Sequence, residues 1–223
     1  MYKFTKRLFD ILFSLLAIIV FAPLLVPITI ILKLTGEGEI FYFQERIGYK
    51  NKPFSIWKFA TMLKNSSKME GGLITLKKDP RLTPIGGFLR SSKINELPQL
   101  FNILFGQMSI IGPRPLMKVS FDVYPADVKK VVYNVRPGLS GIGSLVFRDE
   151  ETLVTKVKES GGDTWAYYSN VIYPYKGELE VWYQEKQSFK VDFVILFLTA
   201  WTVLFPQNSL VFTAFKDLPK KRF

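Results

Sequence analysis

The sequence predicts an α+β fold that is mainly helical: an N-terminal re-entrant membrane helix, a small β-hairpin, and amphipathic helices lying at an interface. Three observations lead there. An uncharged apolar run extends from Ile11 to Leu32. An aromatic and β-branched stretch from Glu39 to Phe59 is interrupted by one turn-like segment. Beyond it, apolar residues recur at helical spacing, and a second, shorter apolar run lies near the end of the chain.

The first run is long enough to cross a bilayer. Lys3, Lys6 and Arg7 precede it and Lys33 follows, so basic flanks at both ends give no preferred orientation. Pro23 and Pro27 fall near its middle, and each lacks the N–H that a straight helix needs. A cleaved leader would need a small-residue site after the run, and none follows. A kinked spanning helix and a helix–break–helix remain. The second fits best, because a bend at the prolines returns both basic ends to one face. Backbone broken within lipid must find internal partners. Asp10 reads as an interfacial partner of Arg7 or of lipid head groups.

In the next stretch, strands are expected over Ile40–Glu45 and Phe54–Phe59, joined by the loop from Gly48 to Pro53. A polar stretch (Lys64 to Gly72) and a basic one (Lys77 to Arg81) follow. Leu97, Leu100, Phe101 and Leu104 then mark one apolar face of a helix opened by Asn95-Glu96-Leu97-Pro98. Pro98 falls in the first turn, Asn95 is placed to cap, and Glu96 sits where the helix dipole favours negative charge. Capping alone accounts for these residues. The same helix end is also a ready anion site, with Arg81, Arg90 and Lys93 just upstream. In Gly112-Pro113-Arg114-Pro115, two prolines stiffen the backbone around one guanidinium, which suits bidentate phosphate binding or makes an ordinary surface turn. Arg136-Pro137-Gly138 repeats the theme.

In the last third, Asp149 and Glu150 read as a solvated surface cluster rather than metal carboxylates. Trp165, Tyr167, Tyr168, Tyr173 and Tyr175 read as core or interface packing before base stacking. Phe193 to Phe205 is too short to span comfortably and suits a helix in the membrane interface or packed under the re-entrant segment. The tail, ending Lys220-Lys221-Arg222-Phe223, is lipid-facing or disordered.

Composition narrows the chemistry. Thirty Lys and Arg against 19 Asp and Glu give a formal charge of +11, which beside long apolar runs points to an anionic membrane surface. Nucleic acid would suit the charge, but no recognition motif accompanies it. The chain has no Cys and no His. Disulfides, Cys-based zinc sites, a thiol nucleophile and an imidazole base are therefore excluded. Acid, base and nucleophile must come mainly from Asp, Glu, Lys, Tyr or Ser, and any metal would be a hard ion such as Mg²⁺.

Seven stretches recur in order: Lys6-Arg7-Leu8-Phe9-Asp10, Phe43-Gln44-Glu45-Arg46-Ile47-Gly48, Lys58-Phe59-Ala60-Thr61-Met62, Asp79-Pro80-Arg81-Leu82-Thr83, Asn95-Glu96-Leu97-Pro98-Gln99-Leu100, Gly112-Pro113-Arg114-Pro115 and Val135-Arg136-Pro137-Gly138. A fainter echo lies in Ser188-Phe189-Lys190-Val191-Asp192. Each alone is weak, but the ordered series resembles the bacterial sugar transferase family, the monotopic polyprenyl-phosphate phosphoglycosyl transferases. The resemblance implies a re-entrant segment over 1–35, with its membrane break at Ala22 and Pro23. It also implies a catalytic domain on the cytoplasmic face of the bacterial inner membrane over 36–190, and an interfacial helix and basic tail over 191–223. In the family, a carboxylate of an Asp-Glu pair attacks the β-phosphate of a UDP-sugar with Mg²⁺ bound. UMP leaves, and polyprenyl phosphate takes the phosphosugar from the acyl phosphate. Carried onto this chain, Glu96 is the essential carboxylate and metal ligand with Asn95 beside it. Lys58, Arg81, Arg90, Arg114 and Arg136 are the phosphate-side candidates. The implied partners are a nucleotide-sugar, polyprenyl phosphate and membrane lipids, with a second copy or glycosyltransferases as further partners and no nucleic acid.

Three positions depart from the family pattern. Asn95 stands where the usual nucleophilic Asp is expected, Ala60 replaces a common Arg, and Ala22 replaces a Ser that often precedes the break proline. Three explanations of Asn95 compete: a variant subgroup in which Glu96 is nucleophile or base for direct attack by the lipid phosphate, an inactive relative that binds nucleotide-sugar or scaffolds a glycan-assembly complex, and an inactivating substitution.

Overall fold

A computed structural model describes residues 1–66, 69, 79–205 and 210–221. Most of the polar stretch ending at Gly72, the Lys77-Lys78 pair and Arg222 lie outside the described residues.

Helix α1 (Tyr2–Leu34) runs through Pro23 and Pro27 as one uninterrupted α-helix. The expected interruption at Ala22-Pro23 is thus absent from the helix itself. The prolines are four residues apart, so the Ile19 and Pro23 carbonyls lose their donors on the same face, and the rest of the ladder carries the helix past them. Leu16, Ile19 and Val20 are exposed. Both ends of α1 nevertheless rest on the body of the chain. Near the start, Arg7 donates to the Ile103 and Leu104 carbonyls. Asp10 is buried and accepts from Ser109 Oγ and the Ile110 N–H. This overturns the reading of Asp10 as an interfacial partner of Arg7 or lipid: its oxygen satisfies protein donors, and Arg7 is occupied elsewhere. Near the end, Ile28 and Leu32 bury against Phe59 and Leu89.

Strands β1 (Phe41–Ile47) and β2 (Pro53–Phe59) form the expected antiparallel hairpin, with β1 reaching two residues further than the alternation suggested. Phe41 pairs with Phe59 and their rings stack. Short helices α2 (Gly86–Ser91) and α3 (Gln99–Leu104) follow. Asn102, fully buried, accepts from the Trp57 N–H and donates to the Ser55 carbonyl, which fastens α3 to the edge of β2.

Strand β3 (Ser109–Ile111) pairs in parallel with β4 (Gly138–Ser140), and α4 (Lys118–Asp122) and α5 (Ala126–Val131) lie between them in sequence. A side chain on Gly138 would collide with Gly112, and one on Gly141 with the Gly112 carbonyl. These glycines let the two backbones meet at the base of the Gly112–Pro115 turn.

The remainder is helical: α6 (Ile142–Val146), α7 (Glu150–Glu159), α8 (Thr164–Tyr167), a single π-helical turn over Tyr168–Ile172, α9 (Tyr173–Lys186), α10 (Phe189–Leu204) and α11 (Leu210–Ala214). The expected boundary at 190 falls in the first turn of α10. That helix buries Ile195 and Leu198 in the same cluster as Leu179 and Trp182 of α9 and leaves Phe193 and Phe197 exposed. Asp192 takes hydrogen bonds from Tyr2 (2.7 Å) and Tyr183 (2.6 Å), joining α1, α9 and α10. The tail is packed on the body through Pro219: Leu218 is buried, and Tyr175 donates to the Pro219 carbonyl, while Lys216 and Lys220 stay exposed.

Candidate active site

A cleft of about 1290 Å³ opens between the hairpin, α2, the Gly112–Pro115 turn and α6–α9. Glu96, Arg114 and Lys58 meet on its wall.

Glu96 ends a 3₁₀ turn over Ile94–Glu96, entered through Lys93 in a left-handed conformation (φ 61°). The helix expected to start at Asn95 begins instead at Gln99: the Glu96 and Leu97 N–H groups bond three residues back, to the Lys93 and Ile94 carbonyls, so this stretch closes as a 3₁₀ turn. Asn95 therefore caps nothing. It is 6% exposed, and its Oδ1 has no hydrogen-bond partner among the described residues. Glu96 Oε1 lies 2.7 Å from Arg114 Nη2 and 3.2 Å from Lys58 Nζ, and Oε2 lies 3.4 Å from Arg114 Nη1.

Burial alone would raise the proton affinity of Glu96. The charges of Arg114 and Lys58 overcome it and hold the carboxyl well below the usual range, as an anion. Burial lowers Lys58 to about 8 against the opposing pull of Glu96. Glu96 in turn stabilises the Arg114 cation.

Arg114 is held at its backbone. The buried Tyr133 hydroxyl donates to the Arg114 carbonyl (2.8 Å) and accepts from the Leu116 N–H (2.9 Å). Arg46, from the hairpin motif, sits behind the turn with Nη1 3.4 Å from the Pro115 carbonyl; burial and the Arg114 charge bring it down to about 10.

The other sequence candidates separate. Arg90 lines the cleft, 3.8 Å from Glu151. Arg81 also borders it, but its guanidinium is 2% exposed, gives Nε and Nη2 to Asp79 at 2.8 and 2.6 Å, and gives Nη1 to the Ser66 carbonyl. Arg136 is not part of the cleft wall among the described residues; it donates to the Gly106 carbonyl (2.7 Å) and lies over the Tyr49 ring. Glu150 is no solvated surface group: it lines the cleft and accepts two hydrogen bonds from Lys176 (2.8 and 2.7 Å). Trp165, Tyr168 and Tyr173 border the cleft, while Tyr175 packs in the core.

Sequence reasoning missed Glu180. It is 3% exposed, borders the cleft from α9, and has an Oε2 without a partner among the described residues. Burial raises its carboxyl to about 8, against the Arg114 N–H and Lys176. The described residues contain no cluster of three or more Asp or Glu side chains arranged for a metal. Asn95 and Glu96, consecutive in sequence, both border the cleft, and the Asn95 Oδ1 has no partner among the described residues.

A model of bacterial sugar transferases matches residues 1–206. A UDP-N-acetylgalactosamine-undecaprenyl-phosphate N-acetylgalactosaminephosphotransferase of Aeromonas hydrophila is 39% identical over 147 residues, 65% of this chain and 34% of that protein. A UDP-glucose:undecaprenyl-phosphate glucose-1-phosphate transferase of Klebsiella pneumoniae is 30% identical over 97% of this chain and 40% of its own length. The exopolysaccharide production protein ExoY of Rhizobium meliloti is 32% identical over 77% of this chain and 82% of its own. The chain thus spans well under half of the first two relatives and most of the third.

Proposed function

The chain belongs to the bacterial sugar transferase family, and from that premise we propose that it transfers a sugar-1-phosphate from a nucleotide-sugar, a UDP-sugar by analogy with its relatives, to polyprenyl phosphate. The observation that carries the reading is the ionised Glu96 held between Arg114 and Lys58 at the wall of an open cleft. A carboxylate with depressed proton affinity is a poor general base but stays anionic, which suits it to attack phosphorus.

In the first step a Glu96 oxygen bonds to the β-phosphorus, and the bond from that phosphorus to the bridging oxygen breaks. UMP departs with the bridging oxygen, leaving an acyl phosphate. In the second step an oxygen of polyprenyl phosphate bonds to the same phosphorus, the acyl–phosphate bond breaks, and Glu96 is restored as a carboxylate. Arg114 and Lys58 turn from Glu96 to the equatorial phosphate oxygens as charge moves onto them. Asn95 and Glu96 would hold a Mg²⁺ ion, which would neutralise the diphosphate.

The cleft works at a membrane surface. α1 packs on the same body near its start, at Ala17 and Ile18, and near its end, while its outward face exposes apolar side chains, which supports a path within one leaflet that bends at the prolines without a break in the helix. The exposed Phe193 and Phe197 of α10 suit the same interface, on the cytoplasmic side where nucleotide-sugars are found.

The test is UMP release from a panel of radiolabelled UDP-sugars with undecaprenyl phosphate and Mg²⁺. Wild type should turn over at least one sugar, and Glu96→Gln should lower that rate by roughly a thousandfold or more. Nucleotide-sugar binding without UMP release from wild type would favour an inactive scaffold instead.

A further inference from the structure

We propose that Glu180 of α9, together with Ser144 of α6, forms a subsite of the cleft that hydrogen-bonds hydroxyl groups on the sugar of the nucleotide-sugar. The inference rests on the cleft taking that class of ligand.

Glu180 is a buried carboxyl with an unsatisfied oxygen. Its Oε1 lies against Gly143, where an added Cβ would stand 2.5 Å away, and the Arg114 backbone N–H points at the carboxyl. Its Oε2 has no partner among the described residues. The nearby cation does not neutralise it: Lys176, one turn earlier on α9, gives hydrogen bonds of 2.8 and 2.7 Å to Glu150. A buried polar oxygen left unpaired is costly, and one bordering an open cleft is answered by whatever fills the cleft. Ser144 lines the same cleft, and its Oγ too is buried without a partner among the described residues.

The chemistry of the two groups selects a hydroxyl. With its proton affinity raised to about 8, the Glu180 carboxyl carries a proton in most molecules at neutral pH. It can then donate and accept, as Ser144 Oγ can, and a sugar hydroxyl does both in return. Phosphate oxygens, which only accept, are matched by the cations Arg114 and Lys58. Arg114 sets the spacing: its guanidinium grips Glu96, where the β-phosphate reacts, and its backbone faces Glu180. One arginine side chain therefore separates the reacting phosphorus from Glu180, and the group bonded directly to that phosphate is the sugar.

Calorimetric titration of the full chain in detergent with UDP, UDP-glucose, UDP-galactose, UDP-N-acetylglucosamine and UDP-N-acetylgalactosamine tests this without turnover. Wild type should hold its preferred UDP-sugar more tightly than UDP. In Glu180→Gln that advantage should shrink about tenfold, the scale of one hydrogen bond to a strong partner, with UDP affinity changed less than about twofold. Ser144→Ala should shift the ranking of the sugars in the same assay, and it decides the matter if Glu180→Gln has a lowered melting temperature. An unchanged ratio of UDP-sugar to UDP affinity in both variants would overturn the subsite, as would an equal loss for every ligand including UDP. A wild type that binds UDP-sugars without releasing UMP would remove the transferase reading and leave the subsite standing. One that binds none of the five would remove both.

Discussion

The Arg114 guanidinium straddles the Glu96 carboxylate, Nη2 at 2.7 Å from Oε1 and Nη1 at 3.4 Å from Oε2. The fork matches a phosphate as well as it matches a carboxylate, so an incoming diphosphate competes with Glu96 for Arg114 and frees the anion to react. Arg114→Lys keeps the charge and loses the fork. It should lower kcat/KM for UMP release about a hundredfold, with most of the loss in kcat, and steady-state rates at varied UDP-sugar concentration measure the split.

Asn95 tests which side chain attacks. If Glu96 is the nucleophile, Asn95→Asp adds a carboxylate beside one already in place and raises the proton affinity of one of the two. UMP release by Asn95→Asp should then stay within about tenfold of a measurably active wild type. A variant that turns over while wild type is silent would assign the chemistry to position 95 and leave Glu96 as its helper.

The hairpin and the Arg114 turn were legible because their signals are local: alternating aromatics in one, flanking prolines in the other. The cap at Asn95 misled because the residues around it bond three back rather than four, and the capping pattern cannot distinguish a 3₁₀ turn from an α-helical first turn. Arg136 looked like a second Arg114, but its fate depends on a carbonyl at Gly106, 30 residues away. Glu180 carried no signal, since Glu178 and Glu185 share its helix and only the packing of α6 against α9 buries one of the three completely. The folded tail left a trace in Phe215 and Leu218, which the adjacent lysines obscured.

Asp79 and Arg81 form an ion pair away from bulk water, with side chains 5% and 2% exposed. Asp79→Asn takes away the nearest counter-charge while the Arg81 guanidinium keeps other partners, the Ser66 carbonyl among them. It should lower unfolding free energy by about 1–3 kcal/mol, read by denaturant unfolding in detergent. A loss of nucleotide affinity at unchanged stability would instead return Arg81 to the phosphate site.

Glu180 gives stability a pH slope of unusual sign. Its carboxyl titrates at about 8 in the folded chain against an ordinary value of 4.5. Between those values the native state holds a proton that the unfolded chain has released, so stability falls as pH rises through the window. Wild type should lose on the order of a few kcal/mol from pH 5 to pH 8 relative to Glu180→Gln, which has no proton to release. Melting temperatures of both proteins across that range check it, and parallel curves would place the Glu180 proton affinity near normal.

The path of α1 is open to a direct assay because the chain has no native cysteine. Arg7 and Asp10 tie the start of the helix to α3 and β3, and Leu32 ties its end to the hairpin and α2, so the proposed re-entrant path predicts both termini of α1 on one side of the membrane. Single cysteines at Lys3 and at Gly36 should both react with a membrane-impermeant maleimide in inside-out vesicles, and neither should react in intact spheroplasts. Reaction from opposite sides would make α1 a spanning helix. Pro23 and Pro27, one turn apart, lower the cost of bending by removing two hydrogen bonds from a single face. Replacing both with Ala restores the ladder and favours a straight helix. Position 3 should then react from the spheroplast exterior in part of the population, while position 36, held by the body of the chain, keeps its pattern. A double variant labelled like wild type would show that docking at the two ends, and not the prolines, sets the path.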